Sequence, residues 1–192
     1  MSLVGSMLRG VRAGERGLLW NSEAGKTAPA SIELVSDAFD SGGSIPPRHA
    51  GDGVGENLSP PLAWRNIPRD TAELALVIED ADAPLPRPFV HTVVTAISPD
   101  VTRLSEGALA LGTRHPGVFG KGSFGGRGYR GPTPVPDHGP HTYVFQLFAL
   151  AAPLPRDRAS LSRAAAGEGD VRDRPRAWPA RWDVRAMILF SE

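Results

Sequence analysis

Leu74-Ala75-Leu76-Val77-Ile78-Glu79-Asp80-Ala81-Asp82-Ala83-Pro84 passes from a continuous apolar run into a cluster of carboxylates. The run from Leu74 to Ile78 does not alternate with polar residues, which predicts a central strand covered on both faces. Asp80 and Asp82 follow at the strand's end, where polar groups can leave a core and face a cleft. The two share one face if the chain stays extended there. An Asx-turn that closes the strand is the competing reading.

Shorter strand signals lie on either side. Ile32, Leu34 and then Phe39 suggest a first strand, leading to a turn at Ser41-Gly42-Gly43. In Ser59-Pro60-Pro61-Leu62-Ala63-Trp64 the prolines forbid helix, and Leu62 and Trp64 alternate as in a half-buried strand. Phe89 to Ile97 is rich in β-branched residues, Thr142 to Leu150 is again strand-like, and Val184 to Phe190 makes a final strand. Residues 107–140 hold many glycines and prolines and read as long functional loops. A short helix fits Ser160 to Ala166, with Ser160 as its N-cap. About seven strands with long loops and one or two short helices predict a mainly β fold, a sandwich of two antiparallel sheets.

Length and composition agree with that fold. A chain of 192 residues favours one domain with a sizeable core. Lys plus Arg and Asp plus Glu both number 21, so the formal net charge is zero. There is then no bulk attraction to nucleic acid or to an anionic membrane, and any anion binding must be local. The lack of cysteine excludes disulfides, thiolate nucleophiles and cysteine-based zinc sites, and fits a cytoplasmic location. Met1 to Trp20 reads as neither a signal peptide nor a membrane span. Residues 1–30 read as a leader ahead of a β-domain of residues 31–192. It is either a flexible tail or an arm whose Trp20 packs on a partner subunit in a homodimer. Between residues 155 and 185, arginines interleave with acidic residues as on a solvated surface, and Trp178 and Trp182 suit core packing.

Five histidines are present. His91 lies within the apolar run Phe89 to Val94, and His141 opens the strand that continues through Tyr143. A buried imidazole needs a hydrogen-bond partner, so each is either a satisfied core residue or a ligand group. His49, His115 and His138 fall in loops and are expected to be solvated. The third element is the loop Gly128-Tyr129-Arg130-Gly131-Pro132-Thr133-Pro134-Val135-Pro136, which the prolines stiffen. Its Gly131 would let the backbone approach a small ligand closely.

Taken in order, these segments resemble the phosphatidylethanolamine-binding protein family, including its bacterial Raf-kinase-inhibitor-like members. Ser59 to Trp64 is similar to the family's entry segment. Asp80-Ala81-Asp82-Ala83-Pro84 resembles its Asp-Pro-Asp-Ala-Pro motif. Gly128-Tyr129 through Gly131-Pro132, with Gly139, His141 and Tyr143, resembles its Gly-Tyr-x-Gly-Pro and Gly-x-His-Arg-Tyr block. The resemblance implies a sandwich with a small pocket at one end that takes phosphate-like anions and phospholipid head groups. Asp80, His91, His141 and Tyr143 should then line it, with Asp82, Ala83, Phe89, Gly131 and Pro134 near them. Three positions depart from the pattern: Ala81 replaces the usual Pro, Thr142 the usual Arg and Ser123 a common Asp. The last two suggest a charge pair near the pocket replaced by hydroxyls.

Such a group of residues can bind an anion through protonated imidazoles, which donate charge-assisted hydrogen bonds. A zwitterionic head group would satisfy both charge types. This reading expects a binding protein, with no catalytic residue, no cofactor and no resident metal. Two alternatives compete with it. The Asp and His residues could hold a metal that hydrolyses an ester, although neither a His-Glu-x-x-His motif nor a nucleophile elbow is present. Alternatively, Arg103, Arg114, Lys121, Arg127 and Arg130 could form a basic rim that docks phosphorylated segments of a protein partner or an inhibited kinase.

Overall fold

The computed structural model describes residues 3–22, 25–26, 30–112 and 117–154, together with the backbone of 186–190. One short helix, α1 (Leu3–Leu8), precedes the strands. These are β1 (Glu33–Val35), β2 (Leu62–Arg65), β3 (Glu73–Asp80), β4 (Phe89–Ile97), β5 (Arg103–Leu104), β6 (Val118–Phe119), β7 (His141–Leu150) and β8 (Ala186–Phe190). They form a three-stranded sheet in the order β1-β2-β5 and a five-stranded sheet in the order β6-β4-β3-β7-β8. Every pairing within them is antiparallel. The expected two-sheet, mainly β architecture is the one observed.

The apolar run occupies β3, the middle strand of the larger sheet, and all its residues from Glu73 to Asp80 are buried. Its side chains alternate between two apolar clusters, as the pleat requires. Leu74, Leu76 and Ile78 join Leu34, Leu62, Trp64, Phe145 and Leu147 in the core between the sheets. Ala75 and Val77 join Val90, Val93 and Phe148 on the opposite face.

That opposite face is where the leader lies. Over residues 3–22 it is not a free tail, and Trp20 packs in part on its own chain. Leu19 belongs to the cluster of Ala75, Val77 and Phe148, while Leu18 and Trp20 pack with Ala81 and Val144. The reason is a polar one as well as an apolar one. Glu79 points out of the same face and is 0% exposed, and a buried carboxylate must find donors. The one-turn helix Leu19–Asn21 supplies them, because the first amides of a helical turn have no partner inside it. The Leu19 N–H donates to Glu79 Oε2 at 2.8 Å, and Gln146 Nε2 donates to the same oxygen at 2.7 Å. The Trp20 N–H donates to Gln146 Oε1 at 2.9 Å, closing the network.

The expected helix at Ser160 to Ala166 and the two tryptophans Trp178 and Trp182 lie outside the described residues. Leu19→Ala should lower stability by about 2–5 kcal/mol, as for other buried Leu truncations, when measured by urea unfolding. A loss below about 0.5 kcal/mol would mean that the leader contributes nothing to the fold.

Candidate ligand-binding site

The site forms where three neighbouring strands end together. The register sets Asp80 of β3 opposite Phe89 of β4 on one side and opposite Tyr143 of β7 on the other. Two residues along β7, His141 falls on the same face as Tyr143. On β4 the register shifts between Ile78 and Glu79, from a Thr92 partner to a Val90 partner. His91 is therefore the extra residue of a β-bulge, which re-aims its ring. That ring meets Tyr143 edge-on with centroids 5.2 Å apart, and Phe89 at 4.8 Å. His141 lies nearly parallel to Tyr143, with ring centroids 6.3 Å apart. Asp80, His91, His141 and Tyr143 thus converge as the sequence reading expected.

Asp80 uses both carboxylate oxygens. Oδ2 lies 2.7 Å from Nδ1 of His141, and Oδ1 accepts the backbone N–H of Asp82 at 2.8 Å. The Asx-turn and the imidazole contact therefore coexist on one side chain. The turn corrects the expectation for Asp82, which does not stay on the face of Asp80. Its carboxylate accepts the Thr142 N–H at 2.7 Å and pairs with Arg12 of the leader at 2.7 Å. These bonds hold the Asp82 carboxyl below its ordinary pKa against the opposing effect of burial, which is the largest single influence.

His91 differs from the expected cationic anchor. Its Nδ1 lies 3.0 Å from the Arg130 carbonyl, and that contact makes Nδ1–H the donor. Burial pushes its pKa down to about 4, outweighing the attraction of Asp80, and the Arg130 and His141 charges act in the same direction as burial. The imidazole is therefore neutral at pH 7, with Nε2 as an acceptor. Burial, followed by the Asp80 charge, raises the Tyr143 phenol far above its usual range, so it keeps its proton.

The remaining expected residues divide. Phe89 is half-buried at the mouth, and the Arg130 guanidinium lies 5.2 Å from its ring centre. Ala83 is buried and its carbonyl accepts the Ala13 N–H of the leader at 3.0 Å. Pro134 is half-buried. Gly131 has a packing role of its own. A Cβ there would sit 2.3 Å from the His49 carbonyl, so glycine is required for two loops to pack.

Two loop histidines expected in solvent are buried. His138 is 1% exposed and lies between His141 and the leader, with Nδ1 2.8 Å from His141 Nε2. His49 is buried under the loop that carries Gly131, with Nδ1 2.9 Å from the Leu58 carbonyl, while its own carbonyl accepts the Tyr129 hydroxyl at 2.8 Å. His115 lies outside the described residues. Arg12 and His138 are the site's neighbours that motif reading missed, while the sequence reading names Arg130 only as one cation of a basic rim. For His138 the sole hint was its nearness to His141 in the chain. Among the described residues, no group of three or more His, Asp or Glu side chains has a metal-holding arrangement.

Comparison with known proteins assigns this architecture. The family model described as phosphatidylethanolamine-binding protein matches residues 35–183. The chain belongs to the phosphatidylethanolamine-binding protein family. It is 42% identical over 120 residues to a UPF0098 protein of Methanothermobacter thermautotrophicus, covering 62% of this chain and 76% of that protein. A UPF0098 protein of Aquifex aeolicus is 33% identical over 134 residues, covering 70% of this chain and 77% of its own length. Among solved structures, Escherichia coli YbcL, described as a member of the mammalian PEBP family, superimposes with a TM-score of 0.71. It is 25% identical, covering 85% of this chain and 99% of its own. CT736 of Chlamydia trachomatis gives a TM-score of 0.65 at 26% identity, with the same coverage.

The three departures from the family pattern now have local explanations. Ala81 restores an N–H that proline lacks, and it donates to the Thr142 carbonyl at 3.0 Å, extending the pairing of β3 with β7. Ser123 Oγ accepts the Val90 N–H at 2.9 Å and so holds the end of β4. Thr142 lies on β7, two strands from β4, and alternates to the face opposite His141 and Tyr143. The two hydroxyls sit at different places: Ser123 holds the end of β4, and the Thr142 side chain bonds the Asp82 carboxylate.

The low pKa of His91 has a consequence for acid stability. The unfolded chain binds this proton near the ordinary value of 6.5, and the folded one only near 4. Stability is therefore intact above about 6.5 and falls as pH drops towards 4, by at most about 3 kcal/mol from this residue. Urea unfolding at pH 7 and pH 4.5 should show a smaller acid loss in His91→Gln than in the native chain. Equal losses would remove His91 as their source.

Proposed function

We propose that this chain binds a small phosphate-bearing ligand at the Asp80, His91, His141 and Tyr143 cluster, and acts as a receptor rather than a catalyst. The observation that carries the reading is the Tyr143 ring within reach of two imidazoles, at 5.2 and 6.3 Å, beside a buried carboxylate. The Tyr143 hydroxyl is kept protonated and can donate to a phosphate oxygen. Arg130 brings an exposed cation to the mouth, next to Phe89. His91 Nε2 is an acceptor while neutral, suited to the O–H of a protonated phosphate, and becomes a donor when it takes up a proton.

Asp80 acts here as a positioning group, since its oxygens already hold His141 and the Asp82 amide. The chain of contacts from Asp80 through His141 and His138 runs to main-chain carbonyls, not to a hydroxyl or thiol that it could activate. That supports binding over hydrolysis. Phosphoethanolamine, a zwitterion, fits the mix of acceptor and donor groups better than a free dianion.

An anion beside His91 raises its pKa from about 4. Binding therefore takes up a proton at pH values between the free and the raised pKa, and affinity falls as pH rises through the raised value. Calorimetry with inorganic phosphate and with phosphoethanolamine, in two buffers of different ionisation enthalpy, should show that uptake. Arg130→Ala and His91→Gln should each weaken binding by about 10- to 150-fold, the range for a charged hydrogen bond. No heat with either compound, or unchanged affinity in both variants, would overturn the assignment.

A further inference from the structure

The leader has two parts with different attachments. Residues 15–21 are anchored by Glu79 and Gln146 on the outer face of the larger sheet. Residues 3–14 turn the other way, over the end that carries His138 and His141. Gly14, at φ 77°, sits at the junction in a conformation that favours glycine. The Ala13 and Gly14 amides donate to the carbonyls of Ala83 and Ala81, at 3.0 and 2.7 Å. Gly5 packs so closely on the 136–138 turn that a Cβ there would lie 1.8 Å from the Pro136 carbonyl oxygen.

The contact between this segment and the site is a chain of imidazoles. Asp80 Oδ2 lies 2.7 Å from His141 Nδ1, and His141 Nε2 lies 2.8 Å from His138 Nδ1. His138 Nε2 lies 2.8 Å from the Leu8 carbonyl and 3.1 Å from that of Val11. Protons can be counted along it. A carboxylate and a carbonyl only accept, so each end of the chain needs an N–H from a ring. The ring-to-ring contact needs another. Two neutral imidazoles own two N–H groups between them, one fewer than the contacts demand.

We propose that the His138–His141 pair holds one shared extra proton, and that this proton latches residues 3–14 over the pocket end. The positive charge lies against Asp80, so the buried cluster is neutral as a whole. Loss of the proton leaves two acceptors facing each other at one link. The Asp80 link is charge-assisted and persists. His138 then has one N–H for two links, the contact with His141 and the Leu8 and Val11 carbonyls, so the hold on the leader weakens and the segment lifts about Gly14 while residues 15–21 stay in place.

The neighbouring charges do not substitute for that proton. Asp80 faces the pair from β3, and Tyr143 stacks on His141 from β7. His91 on β4 feels the His141 charge as a repulsion. Arg12 is matched by Asp82 and also donates to the Pro140 carbonyl at 2.9 Å, and Arg9 donates to the Asp137 carbonyl at 2.7 Å. These contacts strengthen the latch at every pH at which arginine and carboxylate are charged, so they set its background and not its pH response. The latch is independent of what the pocket binds.

Amide hydrogen exchange on the full chain tests it without a ligand, with Ala13 and Gly14 as reporters. After correction for intrinsic rates, their protection should fall roughly tenfold or more, the scale of a lost charged hydrogen bond, as pH rises from about 5 to about 9 across the imidazole range. His138→Gln can still donate to the Leu8 carbonyl but cannot titrate, and should lose the step. Arg12→Ala should lower protection at every pH and keep the step. Imidazole nitrogen-15 shifts of the unmutated chain should show one protonated pair while the segment is protected. Protection that is flat with pH, a step that survives in His138→Gln, or two neutral rings in the protected state would each overturn the latch.

Discussion

The 2.7 Å contact between Asp80 and His141 joins the middle strand of the larger sheet to its neighbour at the point where the core ends. A carboxylate at the end of a strand buried on both faces is tolerated only if it is paired and hydrogen-bonded. Asp80 meets that condition by dividing its oxygens between the Asp82 amide, which shapes the turn, and the imidazole, which belongs to the site. Everything at this end of the sandwich follows from that division. His141 is fixed in orientation, Tyr143 lies against it, and the bulge of β4 brings His91 to the same ring.

The adjacent residue solves the same problem on the other face. Glu79 points away from the site and is held by Gln146, as Asp80 is held by His141. Both partners come from β7, and both lead on to the leader: Gln146 to the Trp20 amide, His141 through His138 to the Leu8 carbonyl. Two consecutive carboxylates on one buried strand thus tie the same N-terminal segment to both faces of the sheet. The leader is held by polar obligations of β3 as much as by its few apolar side chains.

The central strand and the converging residues were legible because they depend on period-two alternation and on an unbroken apolar run. Asp80, His141 and Tyr143 meet once β3 and β7 pair, and that pairing follows from the pattern. The bulge at His91 was not legible, since nothing in Phe89 to Ile97 marks an extra residue. The position of Asp82 stayed open because the sequence allows both an extended chain and the Asx-turn that the structure shows. His138 and His49 were taken as solvated because a loop position says little about burial, which is decided by what packs over the loop. The leader was hardest to read, because its decisive groups are backbone amides and carbonyls, and every sequence has those.

The role of Glu79 separates the region of ancestry from the unit that folds. The family match begins at residue 35, yet the Leu19 and Trp20 amides that satisfy Glu79 and Gln146 lie upstream of it. A fragment cut to the matched span would keep the Gln146 donor to Glu79 but lose the Leu19 amide that shares the same oxygen. Relatives without such an N-terminal extension are expected to carry a different residue at this position or to cover it with another part of the chain. Covariation between the identity of residue 79 and the presence of an upstream segment is the evolutionary trace this arrangement should leave.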